Sequence, residues 1–108
     1  MNGQRSITVA FSGDLDLSAR DGVAFALPDP TGLDRLVLDC TAVSSMESVV
    51  ISVFMRYRRK WISAGSDPLN IVFLVTPELR RTFDVTGMSE WFTILTAQRD
   101  LEPQPPLP

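Results

Sequence analysis

Hydrophobic and polar positions alternate first at Ile7, Val9 and Phe11, set against Thr8, Ala10 and Ser12. That period of two predicts a strand with one strongly apolar face. Gly13 is expected to end it. Asp14-Leu15-Asp16-Leu17-Ser18 then reads as a loop leading into a helix, with Ser18 as N-cap and Asp21 at the third helical position, where a carboxylate suits the dipole. The helix predicted over residues 19–27 is closed by Pro28-Asp29-Pro30-Thr31-Gly32, a cluster that can neither continue a helix nor donate to a sheet. Residues 33–39 supply a second strand around the apolar run Leu36, Val37, Leu38.

The period then changes. Over residues 46–64, Val49, Val53, Tyr57 and Trp61 recur every four positions, and Val50 and Phe54 widen the stripe. Ile51 and Met55 lie off it, so the first half of this longest helix is apolar nearly all round. Such a helix is buried on more than one side or offers a surface to a partner. Arg56, Arg58, Arg59 and Lys60 make its second half basic, which complements the C-terminal end of a helix dipole, and Gly65 marks the end. Residues 69–75 form a continuous apolar, β-branched run, the pattern of a central strand covered on both faces. Thr76-Pro77-Glu78 is a helix start with cap, proline and first-turn acid in place. Leu79, Phe83 and Val85 are its expected inner face, and Gly87 its end. Trp91, Phe92, Ile94 and Leu95 predict a turn and a last short strand.

This alternation of strand and helix predicts an α/β layer architecture with a largely parallel sheet. In such sheets function collects in loops at the carboxyl ends of the strands, here residues 13–17, 39–48 and 76–77. One domain is expected over residues 1–97. Residues 98–108 hold Pro103, Pro105, Pro106 and Pro108 and read as a disordered tail with nothing to bury.

Composition narrows the chemistry. With 108 residues, 44% hydrophobic and 21% charged, the chain has the profile of a soluble single domain. A net charge of −3 gives no footing for nucleic acid. No apolar stretch approaches the ~20 residues of a spanning helix, and no signal-peptide core follows Met1. Cys40 is the sole cysteine, which suits a reducing, cytoplasmic setting. There is no histidine, the usual general base and metal ligand, and Lys60 is the only lysine. A non-enzymatic binding or signalling module without cofactor is the expectation.

Several site chemistries are open to the strand-end loops. No glycine-rich nucleotide loop follows any strand. A receiver-type phosphoaspartate site would use Asp14, Asp16 and Asp39, but it lacks a lysine after a later strand. A nucleophilic serine would have only carboxylates as base. Asp14, Asp16 and Glu47 could form a hard-metal site, although carboxylates at loop ends are more often solvated caps.

The stretch Asp39-Cys40-Thr41-Ala42-Val43-Ser44-Ser45-Met46-Glu47-Ser48 resembles the signature of STAS-domain anti-sigma factor antagonists, in which a strand ending in aspartate leads to Asp-Ser-Ser-Gly or Asp-Ser-Thr-Gly at a helix start. Gly13-Asp14-Leu15-Asp16 is similar to the family's Gly-Glu-Leu-Asp. Thr86-Gly87-Met88 with Trp91-Phe92 is similar to its Thr-Gly-Leu and hydrophobic pair. The resemblance implies a small STAS-like layer fold, a mostly parallel four- or five-stranded sheet with three to four helices. The family's usual first strand is missing or very short before Ile7. The resemblance places Ser48 on the serine phosphorylated by an anti-sigma factor kinase, with Asp16 beside it. It implies an anti-sigma factor or related kinase as partner, and a homodimer is an allowed assembly.

The motif departs from the family pattern at four positions. Glu47 replaces aspartate, Val49 a serine or threonine, and Val50 and Ser52 replace glycines. Asp16, Glu47, Val49, Val50 and Ser52 are therefore the expected partner-binding positions, and the two valines would crowd a docking partner or meet an apolar pocket. Ser48 also has a purely structural reading: Ser44-x-x-Glu47 fits a capping box, and Ser45 or Ser48 could cap a later start. A STAS module indifferent to phosphorylation and a small-ligand binder at the strand ends are the other readings.

Overall fold

The computed structural model describes residues 5–97. Four strands, β1 (Ser6–Leu15), β2 (Arg35–Met46), β3 (Ile71–Val75) and β4 (Thr93–Thr96), alternate with three helices, α1 (Arg20–Ala26), α2 (Ser48–Ser63) and α3 (Pro77–Thr86). The sheet order is β1-β2-β3-β4 with every pair parallel, so the expected α/β layer fold is realised with four strands and three helices. No strand precedes β1 among the described residues. The predicted disordered tail at 98–108 lies outside them.

Both of the first two strands run further than the sequence pattern suggests. β2 continues through the stretch expected to be a loop, and the reason is visible in its inward residues. Leu36, Leu38 and Cys40 are spaced by two, but Val43 and Met46 follow at intervals of three, and all five are buried. Between Asp39 and Ala42, and again between Val43 and Ser45, β2 carries one residue more than β1. Each bulge returns an apolar side chain to the core face despite the broken period. β1 likewise runs through Gly13, whose φ of +78° lets the backbone take the irregular step there. Ser18 is not the helix cap. Asp16 caps a short 3-10 turn, Leu17–Ala19, that leads into α1.

Ile7, Val9 and Phe11, Leu36, Leu38 and Cys40, and Ile71, Phe73 and Val75 share one face of the sheet and pack with all three helices into one core. Phe73 is its centre. The rings of Phe54, Phe83 and Phe92 meet it edge-on at 5.0, 5.1 and 5.0 Å, so α2, α3 and the turn before β4 converge on one side chain. The opposite face carries Thr8, Ala10, Val37, Asp39, Val72, Leu74, Thr93 and Leu95 in register. Among the described residues no helix covers it, which corrects the expectation that β3 is sandwiched. Val72 is nevertheless buried, flanked across the ladder by Val37 and Thr93.

The long helix buries Val50, Val53, Phe54, Tyr57 and Trp61, as its period predicts. Its second half is held by polar bonds as well: the Tyr57 hydroxyl donates to the Pro28 carbonyl and the Trp61 indole N–H to the Asp67 carbonyl, both at 2.7 Å. Arg58 stacks on Trp91, its guanidinium 4.9 Å from the ring centroid, and donates to the Trp91 carbonyl. In α3 the Thr76 hydroxyl accepts from the Leu79 N–H at 3.1 Å, and Gly87 ends the helix in the left-handed conformation, both as expected. Val85 is 86% exposed rather than inward, because it sits two residues from Phe83, on the far side of a 3.6-residue turn.

Two measurements test this packing. Phe73→Ala should cost about 3–5 kcal/mol by urea denaturation, since it empties the meeting point of three rings; a cost near zero would contradict it. Burial pushes the Cys40 thiol up to about 12, with the Asp39 charge adding to the effect. At pH 8 a thiol reagent should leave the native chain unlabelled and modify Cys40 promptly only in denaturant. Rapid native labelling would place that thiol outside the core.

Candidate functional site

Beyond Asp39, β2 pairs with β1 alone, and the two strands run on as a parallel ribbon to end side by side at Leu15 and Met46. The Glu47 N–H donates to the Leu15 carbonyl at 2.9 Å and fixes the direction in which the chain turns into α2. This pairing brings the segment Asp14-Leu15-Asp16 against Ser45-Met46-Glu47-Ser48. The third expected loop is set back from that tip, because the β2–β3 ladder stops at Asp39 and Leu74 and β3 itself ends at Val75.

Glu47, not a serine, is the N-cap of α2, and its side chain makes no capping bond. Its carbonyl accepts from the N–H groups of Val50 and Ile51 at 3.0 and 3.1 Å. The amides of Ser48 and Val49 have no hydrogen-bond partner among the described residues, as is usual in an uncapped first turn. The anticipated capping box does not form. Ser44 and Ser45 still belong to β2, and the Ser45 hydroxyl donates across the ribbon to Asp14 Oδ1 at 2.9 Å.

Ser48 is the first residue of α2 and is exposed, and its hydroxyl makes no hydrogen bond among the described residues. Nearby hydroxyls are engaged: Ser18 donates to Asp16 at 2.6 Å, Thr41 to Asp39 at 2.6 Å, and Ser52 to the Ser48 carbonyl at 3.1 Å. Ser44 is exposed and free too, but it lies on the strand, away from the helix end. Asp16 is held by the Ser18 hydroxyl first, then by the backbone N–H groups of Ser18 and Ala19, which keep its carboxyl below the usual carboxylate range. It is therefore ionised at neutral pH. With exposed Glu47 and Asp14 it makes this tip acidic.

Val50 stands apart from the other expected contact residues. It is fully buried beneath the first turn, in the core, so its side chain is not offered to a partner. A valine here fills space under α2 instead of crowding what lies above it. Val49 is half-buried against the core, while Ser52 and Glu47 are exposed. Ile51 and Met55 are also half-buried, so less of the helix flank is open than its sequence suggests. Asp14, Asp16 and Glu47 do not make a ligand set: among the described residues no group of three histidine, cysteine, aspartate or glutamate side chains could hold a metal ion. A cleft opens elsewhere, between α1 and α2, lined by Ala24, Leu27, Val53, Arg56, Tyr57 and Lys60. The tie between Asp14 and Ser45 escapes sequence reasoning, and its only signal is the three-residue spacing of Cys40, Val43 and Met46.

No helix among the described residues is long and apolar enough to cross a membrane. A search of curated proteins found no match. A scan against protein-family models matches the STAS domain over residues 3–101, a span that includes all four strands, all three helices and the ribbon tip with Ser48. The chain belongs to the STAS-domain family.

Proposed function

We propose that this chain is an anti-sigma factor antagonist: unmodified, it binds an anti-sigma factor that is also a serine kinase, and phosphorylation of Ser48 releases it. The observation that carries this reading is the spare hydroxyl of Ser48, exposed at the first turn of α2 and engaged by no other group among the described residues. STAS domains are generally interaction modules rather than enzymes, and the absence of histidine from the chain fits that role. Ser48 Oγ would attack the γ-phosphorus of ATP in the kinase partner, with ADP leaving and the hydroxyl proton passing to a base of the kinase. Asp16 and Glu47 flank the acceptor, Val49 and Ser52 extend the contact along the helix, and Val50 holds the turn from beneath. The setting proposed is cytoplasmic.

Phosphorylation brings about −1.5 to −2 charges. The free amides and dipole at the start of α2 favour that charge by on the order of 1 kcal/mol, and the carboxylates of Asp16 and Glu47 oppose it. The two roughly offset, so the fold is retained. At an interface the balance differs, because burying an unpaired double charge costs several kcal/mol, a more than hundredfold loss of affinity.

A second reading is a STAS module that binds its partner regardless of phosphorylation. It is favoured by Val49, which replaces the family's small polar residue with an apolar one in the first turn. Stable co-purification with a partner that tolerates Ser48→Asp would support it, and a large loss on that change would remove it.

Incubation with the cognate kinase and ATP should add one phosphate per chain, and Ser48→Ala should take none. Incorporation that survives Ser48→Ala would exclude this site. The same substitution should change stability by no more than about 0.5 kcal/mol, since the hydroxyl has no structural bond to lose. Thr76→Ala, which removes a working cap, should cost about 1 kcal/mol in the same denaturation assay. Equal costs at the two positions would mean that Ser48 is a cap after all.

A further inference from the structure

The second half of α2 carries charge that the fold does not use. Four of the ten cations of the chain stand at Arg56, Arg58, Arg59 and Lys60. Arg58 is engaged by Trp91, and Lys60 lies in the last turn, where a cation suits the dipole. Arg56 stands too far from the helix end for that benefit, which fades within the last turn. Arg56 and Lys60 are one turn apart on one side of the helix. Both are exposed, and neither pairs with a carboxylate among the described residues. Both line the cleft between α1 and α2, whose apolar lining is Ala24, Leu27 and Val53. The bond from the Tyr57 hydroxyl to the Pro28 carbonyl at 2.7 Å ties the two walls together, so the cleft is preformed.

We propose that this cleft is a docking site for an acidic peptide segment of a partner protein, with one aliphatic side chain as its anchor. Size selects the anchor. The narrow part encloses about 90 Å³, less than the ~150 Å³ of an apolar cavity that holds benzene. It takes one branched aliphatic side chain and is too small for an aromatic ring or a long acyl chain. Over Pro28, Asp29 and Pro30 the cleft widens into an open groove of about 370 Å³. A narrow slot opening into a shallow groove suits a side chain with its backbone, where a compact ligand would need an enclosing pocket. Charge selects the flanks, since Arg56 and Lys60 can each take a carboxylate beside the anchor. The one acid on the groove, Asp29, already accepts from the Thr31 N–H at 2.9 Å and stands away from Arg56. An anionic flank is therefore attracted on the Arg56 side, and a basic segment is repelled there. The site lies roughly 12 Å along α2 from Ser48 and does not depend on that serine's modification.

The experiment is amide NMR of the labelled full chain titrated with the peptide Ser-Glu-Leu-Glu-Ser, acetylated and amidated at its ends. Saturable shifts should appear at residues 24–30 and 53–60 and should need more peptide as salt is raised. Replacing the peptide's leucine with alanine should weaken binding about tenfold, as should Arg56→Glu with Lys60→Glu in the protein. That double variant should bind Ser-Lys-Leu-Lys-Ser instead, which a folding defect could not produce. Free 4-methylpentanoate, an aliphatic anion without a peptide backbone, should bind about tenfold more weakly than the acidic peptide. Absence of saturable shifts up to about 5 mM peptide would overturn the proposal. So would binding indifferent to the leucine or to the charge reversal, or a free acid that binds as tightly as the peptide.

Discussion

The parallel pairing of β1 with β2 is the contact on which the rest of this structure depends. It is the longest ladder in the sheet, and beyond Asp39 it is the only one β2 has among the described residues. Backbone N–H and C=O groups must find partners, so a strand that outruns the sheet survives only as far as its neighbour follows. β1 follows to Leu15, and the last link, from the Glu47 N–H to the Leu15 carbonyl, hands the chain over to α2. Without that ribbon, the acidic loop after β1 and the start of α2 would have no reason to meet. The two bulges are the means by which it stays attached to the core: they keep Cys40, Val43 and Met46 inward while the exposed residues between them carry the serines.

α2 then acts as a strut. Its near end is tied by Glu47, its middle by Phe54 on Phe73, and its far end by the bonds of Tyr57 and Trp61 to the loops around Pro28 and Asp67. A charge added at Ser48 therefore meets a helix end that is fixed in place. Whatever such a charge does, it does at the surface. The first turn divides its labour in the same sense, with Val50 in the core, Val49 half-covered and Ser48 outside.

Much of this was legible in the sequence because it rests on regular periods and local chemistry. The four-residue recurrence through Val53, Tyr57 and Trp61 gives the buried stripe of α2, with Val49 half-buried at its head, and Thr76-Pro77 and Gly87 give the two ends of α3. The tip was harder to read. A bulge breaks the period of two while preserving the face, so residues 40–46 resemble a loop when they form strand. From that error followed a capping box at Ser44 that the fold does not contain; the partner-facing Val50 came instead from the family motif, and the fold buries it. The Val85 misplacement has a simpler origin, the two-residue offset from Phe83 that no helix can place on the same face. Ser48 itself stands at the helix start under either reading.

The claim at the centre is that Ser48 stands free on a rigid frame, so that modification alters the surface and leaves the fold alone. Two-dimensional amide NMR of the labelled chain before and after phosphorylation of Ser48 tests it directly. Shifts confined to residues 14–18 and 44–52, with the amides of β3 and α3 unmoved, are the predicted result. Changes spreading through Phe73 and Phe83 into the core would contradict it, and would mean that the ribbon and α2 are not fixed against each other.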